Sequence, residues 1–234
     1  MIKSAKNVVL LGLVLILAGC AVDRSTISIE VPEAVATTDD AVAVKIISVE
    51  DKRIFELRPS TPDIPSLSED EINSPEIKAR ALARKRNAYG KALGDVILPT
   101  GQTVAGLVKK TLVNSLQDAG YKVVEQGDPA FLSAVPVKVQ VIQFWSWIEW
   151  GFWQLPLHNK AQVNVTMPRD GEKDDITIQN EVVVNHSAVF DGDWQAIVVM
   201  GLQELQSKMT TTFRENRPSS PKTANSSGNQ LLLN

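Results

Sequence analysis

The chain has 234 residues, of which 44% are hydrophobic and 22% charged, with a net charge of −3 and a single cysteine. That length and balance describe one globular domain of ordinary size or two small ones, and exclude whole-chain disorder and collagen-like or coiled-coil architectures. The weakly acidic balance carries no footprint for nucleic acid, and one cysteine excludes an internal disulfide and a cysteine-based zinc site.

The first twenty residues account for the cysteine. Lys3 and Lys6 form a positive start, and Val8 to Ala18 is an uncharged apolar run. The run is shorter than the roughly 20 residues a spanning helix needs, so it reads as the centre of a secretory signal over 1–19. It closes on Leu17-Ala18-Gly19-Cys20, which resembles the lipobox of bacterial lipoproteins. The resemblance implies that the Cys20 thiol carries diacylglycerol, that the chain is cut before it, and that the new amine is acylated. Ala21, standing where an aspartate would favour retention in the inner membrane, implies sorting to the outer membrane. Each buried methylene adds about 0.8 kcal/mol of membrane affinity, so several acyl chains on one residue hold firmly. The competing reading is an uncleaved anchor or a core cysteine. Removing Lys3 and Lys6 from the 24 basic residues leaves 22 against 27 acidic ones, so the mature chain from Cys20 is net −5.

Residues 20–40 lack a sustained period and read as a lipidated tether. Val42 to Ile47 is rich in β-branched residues and predicts a strand. Arg58 to Pro75 holds four prolines among Ser, Thr and acids, the mark of a loop. Pro75 to Arg86 predicts a short basic helix; its run of Lys and Arg is read as a solvated face, or as a contact for anionic lipid or a partner. Asp95 to Leu98 is a short strand. Val104, Leu107, Val108, Leu112, Leu116 and Ala119 then recur at helical spacing, with Thr100 or Thr103 to cap the start and Gly120 to end it.

Tyr121 to Glu125, Val137 to Val141 and Ala161 to Met167 predict strands, the last two by strict alternation. Asp170-Gly171 signals a turn into a strand over Ile176 to Phe190. A second helix begins near Asp191 and carries Ile197, Val198, Gly201, Leu205, Met209 and Phe213 on one stripe. The Pro-, Ser- and Asn-rich residues 217–234 read as a disordered tail. The fold class expected is α+β: a mainly antiparallel sheet with two principal helices on one face, forming a single periplasmic domain over 41–216.

The most unusual stretch is FWSWIEWGFW. Phe144, Trp145, Trp147, Trp150, Phe152 and Trp153 crowd a hairpin end and make both of its faces bulky and apolar. Tryptophan suits the membrane–water interface, and an exposed aromatic patch marks a contact surface. Three readings stay open: filling between sheet and helices, a partner or self-association surface, and lipid contact.

No nucleophile elbow, zinc-protease motif, phosphate loop or dinucleotide fingerprint occurs. His158 and His186 are isolated and read as structural. The Asp191/Asp193 pair and the acids near Asp170 fit turns and caps rather than a calcium loop. No catalytic residue, metal or cofactor is expected.

The chain from about Ile27 to Phe213 resembles the YajG-type family of small uncharacterised bacterial lipoproteins. The resemblance rests on the lipobox, on Leu116-Gln117-Asp118-Ala119-Gly120-Tyr121 followed by Val123-Val124, on Val137–Phe144, and on Lys160-Ala161-Gln162-Val163-Asn164-Val165. The Pro-rich insert, the tryptophan load and the tail depart from it. It implies no activity and transfers only Cys20. The function expected is a non-enzymatic, outer-membrane-anchored lipoprotein that faces the periplasm, with an adaptor or structural role toward an envelope partner or itself. The alternative is a carrier or sensor of an apolar or cell-wall ligand, with the Trp-rich segment as a pocket wall.

Overall fold

The computed structural model describes residues 23–32, 41–169 and 172–217. Its strands are β1 (Ser25–Thr26), β2 (Val42–Asp51), β3 (Ala81–Arg86), β4 (Ala92–Ile97), β5 (Tyr121–Val123), β6 (Val135–Ile148), β7 (Leu155–Arg169) and β8 (Glu172–His186). Three helices, α1 (Pro75–Arg80), α2 (Val104–Asp118) and α3 (Asp191–Glu215), complete an α+β domain. The eight strands form one mixed, open sheet. The β6–β7 and β7–β8 ladders are antiparallel and by far the longest, while β2 runs parallel to both β5 and β6.

The two expected helices form where the apolar stripes lie, and both pack on one face. Thr103 caps α2 by accepting from the Gly106 N–H at 3.0 Å, and Gly120 follows it at φ +86°. Leu107, Leu112 and Leu116 of α2 and Ile197, Leu205 and Phe213 of α3 share a core with Val137, Val139 and Val141 of β6. Gly201 lets α3 come close to β7: a Cβ there would stand 1.9 Å from Asn159 Oδ1.

Three expectations change. The helix begun at Pro75 ends at Arg80, and Ala81–Arg86 is a strand paired with β4 and, at Ala83, with Ser146 of β6. Ala81, Leu82 and Ala83 are fully buried, so tertiary pairing overrides the helical preference of ALARKR. Residues 23–32, placed in the tether by sequence, lie on the domain: β1 pairs in parallel with β4, and Ile27 and Ile29 are buried. The last strand runs over Glu172–His186 and is finished before Phe190. Cys20, the Asp170-Gly171 turn and the tail from 218 lie outside the described residues.

The sheet has a second core on its other face. There Leu67, Ala81, Ile97, Trp145 and Trp147 cluster, covered by Phe55 from the segment after β2, Ile72 of the Pro-rich insert and Ile77 of α1. A bulge between Val141 and Gln143 separates the two halves of β6. Val137, Val139 and Val141 face the helices before it, and Phe144 and Ile148 do so after it, which turns Trp145 and Trp147 toward the insert.

At that bulge one edge of β6 passes from β2 to β3, and the Arg53 guanidinium fills the junction. Its side chain is fully buried, and every N–H is used. It donates to the carbonyls of Lys78 (2.6 Å), Ala81 (2.7 Å) and Phe144 (3.0 Å), and to both oxygens of Asp51 (Nε to Oδ1 at 2.9 Å, Nη2 to Oδ2 at 2.7 Å).

The N-terminal strand is held by charge. Arg24 pairs with Glu71 and with Asp95 at 3.2 Å. Ser25 donates to Asp191, and Lys85 donates to Ser25 and, at 3.2 Å, to Asp191. The Ser25 hydroxyl, then Lys85, holds the Asp191 carboxyl below its ordinary range against the opposing effect of burial. The Arg24 guanidinium does the same for Glu71.

Two predictions follow from this scaffold. Arg53→Met leaves three carbonyls and Asp51 without their donor, and urea unfolding should show a loss on the order of 3–5 kcal/mol; a loss below about 1 kcal/mol would show the junction holds without it. For β1, depressed carboxyl pKa values mean stabilisation that is complete above the unfolded value near pH 4 and lost as pH falls through the folded values. The Ile27 N–H, bonded to the Ile97 carbonyl at 2.9 Å, should therefore lose hydrogen-exchange protection below about pH 4 while the α2 amides keep theirs. Equal protection of both throughout the acid range would refute the clamp.

Candidate functional site

The β6–β7 hairpin carries the aromatic stretch, and its ladder runs without a break from Gln143↔Gln162 to Ile148↔Leu157. The structure divides the six aromatic residues singled out by sequence. Phe144 is fully buried under the helices, and Trp145 and Trp147 are buried under the insert. Trp145 donates from Nε1 to the Pro62 carbonyl at 3.2 Å and meets Phe55 edge-on at 5.9 Å. Trp147 stacks on His158 at 4.7 Å, and His158 Nδ1 lies 2.9 Å from Glu181. His158 is thus a packed, paired side chain, and His186 Nδ1 sits 3.6 Å from Asp193.

The remaining three stand outside. Trp150 is 46% exposed, Phe152 89% and Trp153 86%. Phe152 and Trp153 touch edge to face at 4.7 Å. The tip is fixed below: Glu149 N–H donates to the Pro156 carbonyl at 2.9 Å, and Trp150 Nε1 donates to the Arg86 carbonyl at 3.0 Å. Filling and exposure are both present, on either side of Ile148.

Three connections meet at this end of the sheet. The β3–β4 turn carries Tyr89, the β6–β7 tip carries Trp150, Phe152 and Trp153, and the segment between β8 and α3 carries Phe190. Among them lies an apolar cavity of about 340 Å³, walled by Leu93, Trp150, Leu155, Val189, Phe190 and Trp194, with Lys85 and Asp191 at its polar side. The basic run expected as a solvated face is instead tied down: Arg84 pairs with Asp95 at 2.9 Å, Lys85 is buried, and Arg86 donates to Gly90 O and Ser66 Oγ at 2.9 Å each.

Asp193 accepts from the Phe190 N–H at 2.7 Å and so serves the start of α3, whereas Asp191 accepts from Ser25 and Lys85 in the β1 clamp. Asp175 accepts from Thr166 Oγ1 at 2.6 Å. Among the described residues, no three His, Cys, Asp or Glu side chains form a metal set. No helix of the described residues is long and apolar enough to cross a membrane.

Sequence reasoning missed the cavity and the cover over Trp145. The apolar residues Leu67 and Ile72 within the proline-rich insert, with Phe55 before it and Ile77 after it, were the available signal, since a solvated loop has no use for them.

No protein-family model and no curated protein matches the chain. Among solved structures, a Xanthomonas campestris protein described under the family DUF330 is 10% identical, with a TM-score of 0.45 over 81% of this chain and 94% of that one. An uncharacterised protein is 8% identical, with a TM-score of 0.42 over 83% and 97%. A Caulobacter crescentus protein called a candidate lipoprotein is 13% identical, with a TM-score of 0.26 over 47% and 85%. No residue role is carried across at these identities.

The division of the aromatics is measurable by thermal or urea unfolding. Trp145→Ala should cost about 3–5 kcal/mol, whereas Phe152→Ala and Trp153→Ala should stay within about 0.5 kcal/mol of the parent. A comparable loss at Trp153 would place the tip in a core.

Proposed function

We propose that the chain is a lipid-anchored protein of the bacterial envelope that binds rather than catalyses, held in the outer membrane through Cys20 and facing the periplasm. The lipobox and the YajG-type resemblance support the anchor. The observation that carries the binding role is the exposed group Trp150, Phe152 and Trp153, standing on a hydrogen-bonded hairpin above a packed base. Large rings kept in water by a stiff support present apolar area at small ordering cost, which suits recognition of another envelope component. A second reading follows from the cavity behind Trp150: at about 340 Å³ with apolar walls it fits a carrier of an apolar ligand.

The anchor is tested by metabolic labelling with palmitate in a lipidating bacterium. Label should enter the full chain and vanish in Cys20→Ser, with the labelled protein in the outer-membrane fraction. An unlabelled parent would end this reading. Native mass spectrometry of the detergent-extracted protein decides the second, which requires a lipid-sized adduct lost when Val189→Trp fills the cavity.

A further inference from the structure

Among the described residues, five aromatic rings are exposed, and all five lie at one end of the sheet: Tyr89, Trp150, Phe152, Trp153 and Phe190. The topology fixes this. β3 and β6 are parallel, so the turn after Arg86 and the tip after Ile148 leave the sheet on the same side. β8 runs alongside in the same sense as β6, because both are antiparallel to β7, and His186 pairs with Leu155 next to the tip. Phe190 follows at once. The Trp150–Arg86 hydrogen bond and the shared cavity join the three connections directly.

The chain also enters at this end. β4 runs away from the β3–β4 turn, with Arg86↔Ala92 at its start and Lys85↔Gly94 next. β1 is parallel to β4, with Ser25↔Val96. Traced backward from Ser25, the chain therefore heads toward the aromatic end. Asp23 reaches the level of Gly94, where an added Cβ would stand 2.5 Å from the Asp23 carbonyl, and Lys85 Nζ donates to that carbonyl at 3.2 Å. Cys20 is three residues earlier, a covalent reach of about 10 Å at full extension. Arg24 and Ser25 are both clamped, so the point of entry is fixed relative to the rings.

We propose that the aromatic end, Tyr89, Trp150, Phe152, Trp153 and Phe190, lies against the surface of the bilayer that holds Cys20. This rests on the anchor reading above and names the component that the tip meets. A lipid chain attached within about 10 Å of Asp23 brings this end, and no other, to the headgroups. The rings there match what an interface favours, with apolar faces buried shallowly and indole N–H groups at the polar level. Docking by rings and anchor together uses two attachments on one membrane, so the second contact forms at a high effective concentration.

The test uses the full chain, lipidated in cells and placed in phosphatidylcholine–phosphatidylethanolamine vesicles containing acyl-brominated phosphatidylcholine. Tryptophan emission should be quenched relative to vesicles without bromine. W150F/W153F should lose most of that quenching, because Trp145, Trp147 and Trp194 are shielded in the cores. Both substitutions are at exposed rings, and unfolding curves check that the fold is kept. Palmitate label present with unquenched tryptophan overturns the docking and leaves the anchor reading intact. Label absent removes the anchor reading itself. Tip-to-tip crosslinking of two copies through residue 153, with no quenching, overturns the docking in favour of self-association.

Discussion

A strand whose edge is shared by two others end to end leaves backbone groups stranded where one partner stops and the next begins. β6 is such a strand, and the buried guanidinium of Arg53 resolves the problem. It supplies donors to Phe144 in β6, to Ala81 at the start of β3 and to Lys78 in α1, while Asp51 balances its charge. Buried carbonyls without donors would cost too much for the junction to persist. The same contacts hold both ends of the insert, since Arg53 precedes it and Lys78 and Ala81 follow it. The second core, with Trp145 and Trp147 beneath Phe55 and Leu67, exists because the insert is held there.

The tip depends on that arrangement in turn. Trp147 stacks on His158 before Ile148, and beyond it Trp150, Phe152 and Trp153 are exposed on a tip held by the Glu149–Pro156 and Trp150–Arg86 hydrogen bonds. A sequence that packs six aromatics in ten residues thus divides its labour at one point in the hairpin. Below it, rings are stabilised by burial; above it, their area is available to something else.

The sequence was legible where one face of an element is buried and the other wet. The stripe from Val104 to Ala119 and the alternation from Ala161 to Met167 report such faces directly, and the structure buries the residues they mark. The α+β class followed from the order of those elements. ALARKR was not legible, because its local preference is helical and its strand state is decided by β4 and Ser146 of β6. The fate of the tryptophans was hidden by the bulge after Val141, which exchanges the faces, and by a loop that supplies the missing core. Period alone sees neither. The Ser25–Lys85–Asp191 clamp joins residues far apart in the chain, and no spacing rule finds it.

The N-terminal strand is joined to the sheet by only two residue pairs, Ser25↔Val96 and Thr26↔Ile97. For a domain tethered by the chain before Asp23, any drag in the envelope would pull along the axis of β1 and load these pairs in shear. The mechanical joint is then the ion pairs of Arg24 and Lys85 together with the burial of Ile27 and Ile29 behind them. Were it to yield, Ile27 and Ile29 would leave the core and β4 would become a bare edge, while the longer β6–β7 and β7–β8 ladders stayed whole.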